Sequence, residues 1–179
     1  MVDKISVIIA TYNEQGNIAK AIACIRKVLP LAEIVIADDG SVDKTLHEAK
    51  SAADDLVKII SLSHRGKGNA IRGAVDAASG EIMVQIDADL QFPAEGITRL
   101  IQPILEQGAD IVFGSRYLET SGIEEGSVSF IKRLASLVAA WIVSGICLRR
   151  FTDVFAGFKA WRNKVIRAID IREKGRLSV

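Results

Sequence analysis

The sequence predicts an α/β protein of one domain, in which helices flank a mostly parallel sheet. Three observations predict it. Short β-branched runs recur along the chain. Segments with helical spacing separate them. A polar cluster follows each run directly. Strands alternating with helices build parallel sheets covered on both faces.

Residues 5–10 (ISVIIA) form a β-branched run, expected as a strand buried on both faces. Residues 17–28 then carry Ile18, Ala21, Ile22 and Ile25 on one helical face, with Pro30 just beyond. Residues 33–37 (EIVIA) read as the second strand, 43–53 as a helix and 57–62 as the third strand. A basic loop over 63–69 leads to a helix at 70–78, closed by Gly80. Residues 81–86 (EIMVQI) are a strand, 93–107 a helix ended by Gly108, and 109–114 (ADIVFG) a further strand. Ligands of such sheets bind outside the carboxyl ends of the strands. Five polar groups lie there: 12–14, 38–41, 64–68, 87–91 and 115–116.

The composition narrows the class. A chain of 179 residues holds one core and buries roughly two-thirds of its unfolded surface, without need of disulfides. A net charge of +1 gives no reason to expect a nucleic-acid partner. Cys24 and Cys147 lie in apolar stretches and are expected as reduced core residues of a cytoplasmic protein. Met1 runs almost directly into a strand, so no signal peptide is expected. Residues 134–148 (LASLVAAWIVSGICL) carry no charge and are flanked by Lys132, Arg133, Arg149 and Arg150. As a helix this run is about 22 Å long, short of a bilayer core of about 30 Å. A buried helix is the reading an isolated apolar run favours; a helix at a membrane surface, spanning 132–150, is the alternative.

The chemistry concentrates at the strand ends. In extended backbone Asp87, Asp89 and Gln91 point the same way, because side chains alternate with period two. Two carboxylates and an amide oxygen are hard ligands suited to Mg²⁺ or Mn²⁺. Asp38-Asp39-Gly40-Ser41 reads as a turn and helix cap, and also as carboxylates for ribose or base, with Asp43 expected to cap rather than to bind. Tyr12 offers a ring for a base and Glu14 a carboxylate, while Asn17 is expected to cap the first helix. Lys67 in the His64–Gly68 loop and the fork of Arg116 are candidates for a diphosphate. The loop lacks both the dinucleotide fingerprint and Gly-Lys-Ser/Thr. His47 and His64 are far apart, so zinc is not expected; there is no Gly-x-Ser-x-Gly elbow of a serine hydrolase.

In order, ATYNEQGNI (10–18), VIADDGSVDKT (35–45), RGKGNAIRGAVDAASGEI (65–82), DADLQFPAEGI (87–97) and GSRY (114–117) resemble family 2 glycosyltransferases of the GT-A, Rossmann-like fold. DVFAGFKAW (153–161) is similar to the Asp-x-x-x-Gly-Phe motif of the dolichyl- and polyprenyl-phosphate mannosyl- and glucosyltransferases. The resemblance implies nucleotide-sugar contacts at Ala10, Tyr12, Glu14, Ala37, Asp38, Asp39, Lys67, Asp87, Ala88 and Arg116. It implies a metal at Asp87, Asp89 and Gln91, and catalytic roles for Asp89 and for Asp153, on the acceptor side. Ala10 stands where the family usually has proline.

The implied activity is inverting, metal-dependent transfer of a hexose from a GDP-mannose or UDP-glucose type donor to a dolichyl or polyprenyl phosphate. The implied location is cytoplasmic, peripheral at the cytoplasmic face of a membrane. An acceptor phosphate is already an anion and needs no base; a saccharide hydroxyl would need one, with Asp153 the candidate. The family continues past the equivalent of Val179, so residues 1–179 are expected to be one catalytic domain truncated at its C-terminus. A sugar nucleotidyltransferase is disfavoured, because Thr-Tyr-Asn-Glu replaces its glycine-rich first loop. A nucleotide-binding module without turnover stays open.

Overall fold

The computed structural model describes residues 4–117, 130–148 and 150–168. In chain order the elements are β1 (Ile5–Thr11), α1 (Ile18–Val28), β2 (Glu33–Asp38), α2 (Thr45–Ala52), β3 (Val57–Ser61), α3 (Lys67–Ala77), β4 (Ile82–Gln85) and α4 (Gly96–Gln107). β5 (Ile111–Phe113), α5 (Phe130–Cys147), β6 (Lys159–Arg162) and α6 (Asn163–Ala168) follow. The sheet order is β3-β2-β1-β4-β6-β5. β1 through β4 pair in parallel, whereas β6 runs antiparallel to both β4 and β5.

The strands are apolar on both faces because both faces are covered. Val7, Ile9, Ile34, Ile36, Ile82 and Val84 pack on one side with α1 and α4. Ile8, Val35, Ala37 and Met83 pack on the other with Ala70, Ala74 and Val75 of α3. Each such isoleucine or valine, removed from water, stabilises the fold by roughly 1.5–3 kcal/mol. The GT-A expectation holds: a mostly parallel sheet between helices.

Four local expectations need correction. β6 reads in the sequence only as part of a motif; it is a strand because pairing on both edges holds it. Asn17 does not cap α1 with its side chain, which donates to Glu14 instead. Cys147 is exposed rather than buried. The favoured burial of residues 134–148 also fails: of this run only Ser136 and Ala140 are buried, and Trp141 and Ile146 are 79% and 76% exposed. Asp43 does serve the start of α2, where Oδ1 accepts the Thr45 N–H at 2.9 Å.

At the amino ends of the strands, Glu33 gathers three elements. Its carboxylate, nearly buried, accepts from Ser6 Oγ, from Ser79 N–H at 2.7 Å and from Ser79 Oγ at 2.9 Å, and pairs with Lys58 Nζ at 2.6 Å. Burial pushes its pKa up, but Lys58, Ser6 and Ser79 together override it and pull it down to about 2. The ionised form therefore stabilises the fold. Glu33→Gln should cost about 1–3 kcal/mol at pH 7. In urea unfolding that gap should be full above the ordinary pKa of 4.5 and close as the pH falls toward 2.

Candidate active site

Parallel strands that end together deliver their following loops to one edge. β1 is followed by Tyr12–Glu14, β2 by Asp39, β3 by His64 and Arg65, β4 by Asp87, and β5 by Ser115 and Arg116. β6 runs the other way, so it begins at this edge, and Asp153 to Phe158 lead into it. The first two loops are laced together. Asn13 N–H donates to Ser41 Oγ at 2.9 Å, Val42 N–H to Asn13 Oδ1 at 3.0 Å and Glu14 N–H to Thr45 Oγ1 at 2.7 Å.

Asp38 and Asp39 are both buried and both hold backbone. Asp38 accepts from the Ser41 N–H at 3.1 Å and from its hydroxyl, as a turn former does. Asp39 accepts from the N–H groups of Arg65 at 3.0 Å and Gly66 at 2.9 Å, and its Oδ2 lies 2.8 Å from His64 Nδ1. The His64 ring stacks on Tyr12, centroids 4.3 Å apart. Tyr12 is 43% exposed, while Ala10 and Glu14 are half-buried and Ala37 and Ala88 are buried. Sequence reasoning left His64 without a role. Its stack with Tyr12 and contact with Asp39 join loops far apart in the chain.

Asp87 lies at the centre. Its Oδ1 pairs with Lys67 Nζ at 2.7 Å, from the first turn of α3. A Cβ placed on Gly157 would come within 2.9 Å of three Asp87 side-chain atoms, Oδ2 nearest, so that glycine leaves the space the carboxylate fills. The expected extended geometry of Asp87, Asp89 and Gln91 does not hold. Residues 88 and 89 form a turn, with Leu90 N–H donating to Asp87 O at 3.2 Å and Leu90 at φ 51°. A leucine held in the left-handed region stores strain of about 1 kcal/mol or more, a cost met most often at functional sites. Asp89 and Gln91 are exposed, and Asp89 Oδ1 accepts the Gln91 N–H at 3.2 Å. Among the described residues, no three His, Cys, Asp or Glu side chains gather around one point. The Asp87 and Asp89 carboxylates and the Gln91 amide are hard-oxygen donors of the type Mg²⁺ or Mn²⁺ takes.

Arg116 and Asp153 are joined differently from the expectation. The guanidinium forks onto the carboxylate, Nε to Oδ2 at 2.7 Å and Nη2 to Oδ1 at 3.2 Å. Phe155 N–H and Ser136 Oγ also reach Asp153. Burial pushes the Asp153 carboxyl up, but the Arg116 fork and backbone N–H, with Phe155, hold it below the ordinary carboxylate range. A buried carboxylate of lowered basicity, held by Arg116, suits orienting the Arg116 fork better than taking a proton. Arg116 also feels the charge of Asp87. Lys159, at the start of β6, was missed; burial and nearby Lys67 lower its pKa, and its ammonium lies 5.3 Å from the Phe113 ring centroid. Its signal appears only once β6 is known to start at this edge.

Lys67, Arg116 and Lys159 thus stand with Asp87 and Asp153 at the carboxyl edge of the parallel strands. Residues 6–168 match the family described as "Glycosyl transferase family 2", to which the chain belongs. It is 35% identical to a dolichol-phosphate mannosyltransferase of Pyrococcus furiosus, over 96% of this chain and 50% of that protein. An undecaprenyl-phosphate 4-deoxy-4-formamido-L-arabinose transferase of Yersinia pestis is 29% identical, over 94% of this chain and 51% of that protein. The glucosyl-3-phosphoglycerate synthase of Mycobacterium tuberculosis, solved with Mn²⁺, UDP-glucose and glycerol 3-phosphate, shares the fold. It has a TM-score of 0.70 and 23% identity, over 92% of this chain and 58% of that one. The chain thus spans about half the length of the relatives it matches.

Removing the buried Asp153 carboxylate should be costly, because the Arg116 fork and the Phe155 N–H both converge on it. Asp153→Ala is expected to lose about 3–5 kcal/mol of stability in urea unfolding at pH 7.

Proposed function

We propose that this chain is the catalytic domain of a transferase that moves a hexose from a nucleoside-diphosphate sugar to a polyprenyl phosphate. The observation that carries the proposal is Asp87 at the sheet edge, paired with Lys67 and within the field of Arg116. Opposite charges packed at this edge suit a metal–diphosphate better than a neutral ligand.

The nucleoside lies along Tyr12 and Glu14, with Asp39 holding the loop beneath it. Ala10, Ala37, Asp38 and Ala88 form the floor. Lys67 and Arg116 take the diphosphate oxygens, and Asp153 keeps the Arg116 fork oriented. Asp87, Asp89 and Gln91 are the residues that would hold Mg²⁺ or Mn²⁺, which when bound neutralises charge on the departing diphosphate. An acceptor phosphate attacks as an anion, so no protein base is required, in keeping with a buried Asp153. The direct attack inverts the anomeric carbon.

The acceptor side is supported by a groove of about 1070 Å³ beside Tyr117, lined by Leu137, Trp141, Ile146, Phe151 and Thr152 among others. It is apolar, as an isoprenoid requires, and it begins near the Arg116–Asp153 pair. Among the described residues no helix is long and apolar enough to cross a membrane. The exposed apolar residues of α5 instead suit an interfacial helix, where lipid phosphates are found.

Asp89→Ala should abolish the Mn²⁺-dependent part of GDP-mannose or UDP-glucose binding in calorimetry. Unchanged affinity and metal dependence in that variant would contradict the site. Trp141→Glu should reduce co-sedimentation with vesicles carrying a polyprenyl phosphate while leaving donor affinity as it was. Donor binding without turnover on any lipid phosphate would favour a binding module.

A further inference from the structure

Gly157 is flanked by buried residues, Ala156 and Phe158, in the segment that enters β6. Its φ lies outside the left-handed region, so backbone conformation does not demand glycine here. Space does. A Cβ at 157 would meet Asp87 Oδ2 at 2.0 Å, Cγ at 2.6 Å and Oδ1 at 2.9 Å, and these three are its nearest neighbours. No real Cβ contact is that short, so one partner must move. The backbone at 157 is fixed by the β6 pairing with β4 and β5 that begins two residues later, and by Phe158 packed on Phe92 and against Gly96 and Gly114. The Asp87 side chain is therefore the part that would have to give, turning about its own bonds and off its contact with Lys67.

We propose that Gly157 is a positioning residue for Asp87: the bare backbone at 157 forms one wall of the carboxylate's seat. Lys67 Nζ, 2.7 Å from Oδ1, closes another side. The carboxylate is thus set before any ligand arrives, and a methyl group at 157 would push it off the orientation in which it serves a cation. This rests on the functional reading above for the identity of the cation, but not for the seat itself. The loop after β4 and the loop before β6 then act as one unit, although they are 70 positions apart in the chain.

The test is a double-mutant cycle of Gly157→Ala with Asp87→Ala, read by thermal unfolding, together with Mn²⁺ titration of the single variant in the presence of UDP. Gly157→Ala should lower the melting temperature in the parent and have little effect in the Asp87→Ala background, where the obstructing carboxylate is gone. It should weaken Mn²⁺ binding about 10-fold or more, as loss of a metal ligand's support does. An equal melting penalty in both backgrounds, or Mn²⁺ affinity equal to the parent's, would overturn the proposal. If the parent itself binds no Mn²⁺, the functional reading fails, and the melting cycle alone decides whether Gly157 seats Asp87.

Discussion

A carboxylate at the end of a buried parallel strand has to be balanced, and the Lys67–Asp87 pair does this. β4 is covered on both faces, and its chain leaves the sheet at a half-exposed edge with charge in it. The contact at 2.7 Å brings the first turn of α3 to the end of β4, and Gly157 closes the seat from β6. Arg116 lies in the same field and is itself held by Asp153. Two acids and two strong cations thus fix one another before a ligand arrives, which lowers the reorganisation needed when a diphosphate binds.

Much of this was legible in the chain. The strand ends carried their polar clusters, and the motifs placed Tyr12, Asp39, Asp87 and Arg116 on one edge because parallel connectivity leaves no other arrangement. What stayed hidden were properties of long-range pairing. KAWR has no apolar run to mark it, and β6 exists only through its neighbours. Lys159 and the reason for Gly157 were hidden with it. The pairing of Asp153 with Arg116 was hidden too, because burial and a partner 37 positions away do not show in local sequence. Period two failed at Asp87–Gln91 because β4 ends at Gln85 and a turn follows.

The apolar run of α5 shows a different limit. Hydropathy reports that a helix avoids water but not what covers it. In the fold its apolar side chains stand largely exposed, beside the groove that leads from the Arg116 loop. In the proposed function that groove and helix would receive a lipid-linked acceptor, whose phosphate lies at an interface. The Pyrococcus and Yersinia relatives, named for dolichol and undecaprenyl phosphates, are about twice as long as this chain.

The central claim is that Asp87 faces a cation shared with the donor's diphosphate. Crystals of the chain grown with Mg²⁺ and a nucleoside diphosphate test it most directly. The account predicts an ion at about 2.1 Å from an Asp87 oxygen, bridging to phosphate. An ion bound elsewhere, with the Lys67–Asp87 contact unchanged and the diphosphate remote from both, would contradict it.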